Sequence, residues 1–172
     1  DYAQKNDFDY AITIDADGQH FASDLPLFFD AIEKDYGAMI VGSRFLKQEN
    51  MPAGNTFANK FSNFWFTVQT GKKLADTQTG YRAYPLFKMG KMRSFSKRYE
   101  SELEYLQRIA WRNIKIVSIP IQVYYAPEGQ RVSHFRTGRD FTRISVLNTL
   151  MCFVAILYGY PSMFLRKLFK SK

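Results

Sequence analysis

Residues 8–43 place a strand, a helix and a second strand in immediate succession, and that order leaves few architectures open. Phe8 to Ile14 (FDYAITI) is aromatic and branched and runs straight into the polar DADGQH, as a buried strand ending in a loop does. Ser23 or Asp24 is placed to cap a helix with Pro26 in its first turn, continuing to about Lys34. AMIVGS at 38–43 supplies the second strand. The spacing predicts a parallel βαβ unit, and so an α/β domain whose ligands gather at the carboxyl ends of its strands.

Further along, Phe57, Phe61, Phe64, Trp65 and Val68 recur at helical spacing within residues 55–70, which predicts a helix with one strongly apolar face, ended by Gly71. ADTQTG is turn-forming and precedes a strand-like YRAY. A helix is expected from about Ser101 to Arg112. In the following IKIVSIPIQVYY, Pro120 either splits the run into two strands or confines it to a sheet edge.

Charge is distributed unevenly. The net +8 of the 172-residue chain is concentrated in residues 129–172, where eight Lys/Arg face the single acid Asp140, leaving +7 there. These cations bracket an apolar run, Ile144 to Leu165, with Arg143 before it and Arg166, Lys167, Lys170 and Lys172 after it. That placement favours a lipid surface over nucleic acid as the partner of the basic region. The run could span a membrane, lie in its interface or cover the sheet as a core helix; an interfacial or shallowly inserted helix is expected, with Tyr158, Tyr160, Arg166 and Lys167 near the head groups. The one cysteine, Cys152, excludes a disulfide framework and fits a reducing, cytoplasmic setting. DYAQKNDFDY at the amino terminus has no apolar core of the signal-peptide kind.

Asp15 and Asp17, one residue apart at the end of a predicted strand, are oxygen donors suited to sharing a hard cation such as Mg²⁺ or Mn²⁺, with Gln19 as a further oxygen. A calcium loop beginning at Asp15 would need a bidentate Glu at its twelfth position, where this chain has Pro26. A phosphatase of the haloacid dehalogenase type also opens on a strand and DxDG. It is disfavoured by Gln19 in place of Thr and by the lack of a later acidic pair.

IDADGQH at 14–20, VGSRF at 41–45, DTQTGYRAYP at 76–85, ESELEYLQRIAW at 100–111, IVSIPIQVYY at 116–125 and RVSHFRTGRDFTRI at 131–144 occur in an order that resembles family 2 glycosyltransferases. The similarity is greatest to the branch of dolichyl-phosphate mannose synthases and bacterial polyprenyl-phosphate glycosyltransferases, enzymes of cell-envelope glycan assembly. The resemblance implies a GT-A, Rossmann-like domain over residues 1–143, truncated at its amino terminus, followed by a membrane-associating apolar helix over 144–172. The family's opening strand and base-binding loop have no counterpart here, and roughly 80–100 residues would be needed to supply them. The implied activity is inverting transfer of a sugar from a nucleotide diphosphate sugar to a lipid-linked phosphate, at the cytoplasmic face of a membrane. The alternative is a non-catalytic membrane-associated fragment of such an enzyme.

By the same resemblance Asp15, Asp17 and Gln19 hold the metal. Arg44, at the end of the second strand, binds phosphate of donor or acceptor, together with Arg82 and with Ser133, Arg136 and Arg139 of a basic loop. Asp76 orients the acceptor, and Gly80 permits a backbone shape closed to bulkier residues. Glu102 and Glu104 cannot share a helix face, and Glu102 is expected to point into the site. His134 is assigned no catalytic role.

Overall fold

The structure is a computed structural model and describes residues 2–44, 53–92, 94, 99–125 and 137–170. In chain order its elements are α1 (Tyr2–Lys5), β1 (Tyr10–Thr13), α2 (Leu25–Lys34), β2 (Met39–Ser43), α3 (Ala53–Thr70), β3 (Arg82–Pro85), α4 (Leu86–Met89), α5 (Tyr99–Trp111), β4 (Ile116–Pro120), α6 (Thr137–Val154) and α7 (Tyr160–Lys170). It is a mixed α/β arrangement built on one four-stranded sheet with strand order β1-β3-β2-β4.

The two early strands run in the same direction, but they are not neighbours. β3 lies between them, antiparallel to both, with Ala83 opposite Ile12 and Ile40. The expected βαβ unit is thus a crossover that skips one position, because RAYP supplies a strand that pairs on both edges. β4 pairs parallel to β2 from Met39↔Ile116 to Ser43↔Pro120 and forms the sheet edge, where the missing N–H of Pro120 costs no central ladder bond.

β2 is buried along its whole length, as the central strand of a sheet covered on both faces should be. Its alternate residues divide between two cores. Met39 and Val41 pack with Phe66, Leu106 and Ile109 beneath α3 and α5; Ala38 and Ile40 pack with Phe28, Tyr81 and Ile121 beneath α2. Three layers result.

One local expectation is corrected. α2 is preceded by a 3-10 turn, Ala22–Asp24, and neither Ser23 nor Asp24 caps it: Asp24 sits before Leu25 in a helical conformation with no side-chain cap bond. Its buried carboxylate instead accepts the Gln122 N–H at 2.6 Å, tying the start of α2 to the chain after β4. The helix α6 passes through a π-helical turn at Ala155–Gly159 into α7. Of the placements open to this apolar run, a core helix covering the sheet is not the one that forms. Met151 and Ala155 pack on Trp111 of α5, while Val146, Phe153, Ile156, Leu157 and Phe164 stay exposed.

α3 spans the predicted segment, yet three of the five residues of its apolar stripe are exposed, with Phe61 and Trp65 half-buried. Phe57 is 68 % exposed, Phe64 58 % and Val68 42 %, whereas Asn59, Ser62, Gln69 and Thr70 are buried with Phe66. The inward polar groups are bonded: Asn63 Nδ2 donates to the Ala75 carbonyl at 2.8 Å, Thr77 Oγ1 donates to Ser62 Oγ at 2.7 Å, and Gln69 Nε2 donates to the Asn148 carbonyl at 3.1 Å. α3 therefore holds the loop before β3 by one end of its inner face and the tail by the other.

Candidate functional site at the sheet edge

Because β1, β2 and β4 run one way and β3 the other, one edge of the sheet collects the ends of β1, β2 and β4 and the entry to β3. The loop 15–20, Arg44, the segment 76–82 and residues 121–125 meet there. Thr13 Oγ1 donates to the Gly80 carbonyl at 2.7 Å, and Tyr124 N donates to the Gln19 carbonyl at 2.8 Å, so the acidic loop is stitched on both sides.

Within that loop Gly18 has φ 76°, a left-handed turn that glycine adopts without strain. The turn lets Asp17 Oδ1 accept the Gln19 N–H at 3.0 Å, while Asp17 and the Gln19 side chain remain exposed. Asp15 lies deeper, with its side chain 44 % exposed and its Oδ2 3.3 Å from His20 Nε2. The His20 hydrogen bond, with help from the Gly80 N–H, lowers the Asp15 pKa against the opposing pull of burial.

His20 had no assigned role, although it closes the DADGQH block. Its ring packs on Tyr81 at 5.6 Å between centroids, and Tyr81 in turn stacks on Phe28 at 4.3 Å. His20 is therefore a positioning residue for Asp15, held by the core beneath α2.

Gly80 is required for a different reason from the one expected. It is not among the residues with positive φ; a Cβ there would lie 2.6 Å from Cγ of Asp15, overlapping its carboxylate. The glycine makes room for the acid.

Asp76 is fully buried and saturated. Arg44 Nε donates to Oδ2 at 2.7 Å and Nη2 to Oδ1 at 3.0 Å, a bidentate fork, while Asn59 Nδ2 adds a bond at 2.7 Å and the Gln78 N–H one at 3.0 Å. Burial alone would lower the Arg44 pKa, but the Asp76 carboxylate outweighs it and raises it above the ordinary value, so the guanidinium stays charged. Asn59 was also missed, since an Asn in an aromatic helix carries no signal of its partner.

Arg82, expected at phosphate, is buried and donates to three carbonyls: Thr79 at 2.6 Å, Thr77 at 2.9 Å and Glu102 at 3.0 Å. In this arrangement it clamps the loop before β3 onto the start of α5. Glu102 is half-exposed, with Oε2 3.9 Å from Arg82 Nη2. Burial raises its pKa, Arg82 partly opposes that, and the negative charge of Asp15 adds to it, which puts the two carboxylates in one electrostatic environment. Glu104 points away, buried against Arg108 at 2.7 Å and Ser94. Ser133 and Arg136 lie outside the described residues, as does the side chain of Arg139.

The donor set suits a hard divalent ion. Asp15 and Asp17 are both carboxylates open to solvent, and no cluster of three His, Cys, Asp or Glu occurs among the described residues. Two carboxylates with water and substrate phosphate in the other positions is a common mode for Mg²⁺.

The chain is 31 % identical over 122 residues to the UDP-N-acetylglucosamine–dolichyl-phosphate N-acetylglucosaminyltransferase of Methanococcus voltae, covering 68 % of this chain and 49 % of that protein. It is 27 % identical over 123 residues to the undecaprenyl-phosphate mannosyltransferase of Micrococcus luteus, covering 66 % and 49 %. Its named homologues are polyprenyl-phosphate glycosyltransferases. An uncharacterized protein of Methanocaldococcus jannaschii is 30 % identical over 121 residues, covering 66 % and 49 %. The chain spans about half the length of the curated relatives it matches, and no family model matches it.

Proposed function

We propose that this chain carries the acidic sheet edge of a metal-dependent glycosyltransferase of the GT-A type. It would move a sugar from a nucleoside diphosphate to a lipid-linked phosphate at the cytoplasmic face of a membrane. The observation that supports the reading is an acidic loop, Asp15 to Asp17, just beyond β1, with the charge of Asp15 felt by Glu102 of α5, in a chain whose named homologues are polyprenyl-phosphate glycosyltransferases.

In the proposed reaction an acceptor phosphate oxygen attacks the anomeric carbon as the bond from that carbon to the diphosphate oxygen breaks, which inverts the centre. A divalent ion held by Asp15 and Asp17 would neutralise charge on the departing diphosphate. His20 keeps Asp15 ionised and fixed in place. The Arg44–Asp76 fork and the Arg82 clamp hold the loop that faces it. A phosphate acceptor is already largely ionised near neutrality, its second pKa being about 6, so Glu102 acts by position and charge and need not remove a proton.

Calorimetric titration of UDP and GDP with and without Mn²⁺, into the chain and its Asp17→Asn variant, tests the site. Metal-dependent binding that Asp17→Asn abolishes supports the reading. Metal-independent binding left unchanged by that variant removes Asp17 from it.

A further inference from the structure

α3 ends at Thr70, and the last carbonyls of a helix have no partner within it. Two of them are met from outside: Trp111 Nε1 of α5 donates to the Gln69 carbonyl at 2.8 Å, and the Tyr160 hydroxyl of α7 donates to the Val68 carbonyl. The fully buried Gln69 side chain completes the joint. Its Oε1 accepts from Gln107 Nε2 of α5, and its Nε2 donates to the Asn148 carbonyl of α6 at 3.1 Å, with Asn148 Oδ1 at 3.3 Å. One glutamine thus joins α3, α5 and the tail formed by α6 and α7.

Much of that joint is polar. Beside a small apolar cluster, Met151 and Ala155 on Trp111, the tail is held by hydrogen bonds, including Asn113 Nδ2 to the Met163 carbonyl at 2.9 Å. Gln107 Oε1 is buried there with no hydrogen-bond partner among the described residues. Bonds to amides are remade with water when surfaces part, so a seam of this make-up can open without unfolding either side. Gln69 also stands on the helix that carries the site. Ten residues earlier, about 15 Å along the axis, Asn59 Nδ2 donates to Asp76 Oδ1 at 2.7 Å; between the two, Ser62 Oγ accepts the Thr77 hydroxyl and Asn63 Oδ1 accepts the Thr77 N–H at 3.1 Å.

We propose that Gln69 is a positioning residue for the Asp76 loop, acting through α3. With the tail docked on Trp111, α3 is fixed where Asn59, Ser62 and Asn63 hold Asp76 and Thr77, and through Asp76 the Arg44 guanidinium. With the tail lifted, α3 and the loop loosen together, so the state of the tail is passed to the sheet edge and the coupling runs both ways. The inference rests on the transferase reading of that edge for its meaning. Its readout needs no donor, metal or acceptor, so the two fail separately.

Amide hydrogen exchange, read residue by residue in the full chain, is the test. The Thr77 N–H, bonded to Asn63, reports the loop; the Gln122 N–H, bonded to Asp24 at the start of α2, reports the other layer of the sheet. Two variants free the tail from different sides. Gly159→Val places a Cβ 2.6 Å from Trp111 Cε2, and Gln69→Met keeps an unbranched side chain while losing both amide bonds. In each, exchange at Thr77 is expected to rise at least about tenfold, the loss of two hydrogen bonds of ordinary net strength, with Gln122 unchanged. A tail freed in either variant, seen as faster exchange across α6 and α7, with Thr77 unchanged would overturn the proposal, as would a tail no freer in Gly159→Val than in the parent. Equal acceleration at Thr77 and Gln122 would also overturn it, because the joint would then serve global stability alone.

Discussion

Replacing Gly80 by alanine isolates what the close approach of Asp15 is worth. Gly80 is outside the left-handed region, so the new methyl group acts through space alone. Its Cβ would fall 2.6 Å from Asp15 Cγ, forcing the carboxylate to swing away from the His20 imidazole and the Gly80 N–H. Hydrogen bonds to a charged group contribute about 1.5–3 kcal/mol, but Asp15 is 44 % exposed and water replaces part of the loss, leaving about 1–2 kcal/mol. Against this, Gly→Ala stabilises by about 0.4–1 kcal/mol through the unfolded chain. The net expectation is a loss of about 1 kcal/mol in urea unfolding, with weakened Mn²⁺ binding. In an Asp15→Ala background the obstruction is gone, and Gly80→Ala should become neutral or stabilising by about 0.4–1 kcal/mol. An equal cost in both backgrounds would refute the argument, because the strain would then lie elsewhere.

Glu102→Gln should raise the thermal midpoint at neutral pH and lose that advantage below about pH 4. The folded pKa is raised above the ordinary 4.5, so Glu102 favours folding at low pH and opposes it as pH rises through the folded value. Asp15→Asn should behave oppositely: its depressed pKa contributes stability above the ordinary 3.8, which the variant loses at neutral pH and no longer lacks in acid. Asp76→Ala leaves the Arg44 guanidinium without its fork and should cost about 3–5 kcal/mol in denaturant unfolding; a cost below about 1 kcal/mol would contradict the buried pair. Gly159→Val should loosen the tail, since a Cβ there meets the Trp111 indole at 2.6 Å from Cε2. About 1–3 kcal/mol of overpacking and faster proteolysis within α6 and α7 are expected, and unchanged proteolysis would argue against the packing described.

Strands and helices were legible wherever a short apolar run or helical periodicity ended at Gly or Pro, as at AMIVGS, RAYP and residues 55–70. Sheet order was not, because RAYP is too short to announce that it pairs on both edges. Periodicity located the apolar stripe of α3, but rules drawn from soluble helices would turn Phe57 and Phe64 inward. Their exposure depends on partners for Asn59 and Gln69 that lie far along the chain. The acidic loop followed from the strand end before it, and helix geometry separated Glu102 from Glu104 without saying which of them is buried; Glu104 is. The roles of His20 and Gly80 did not follow, since each is defined by its contact with Asp15.

The most direct test of the proposed activity joins this chain to the half of the Methanococcus voltae relative that it does not span. Vesicles containing dolichyl phosphate are then supplied with labelled UDP-N-acetylglucosamine and Mn²⁺. Labelled lipid from the chimera, lost with Asp15→Asn or Asp17→Asn, is the predicted result. A folded chimera that forms no labelled lipid while the intact relative does, or one indifferent to both substitutions, would contradict it.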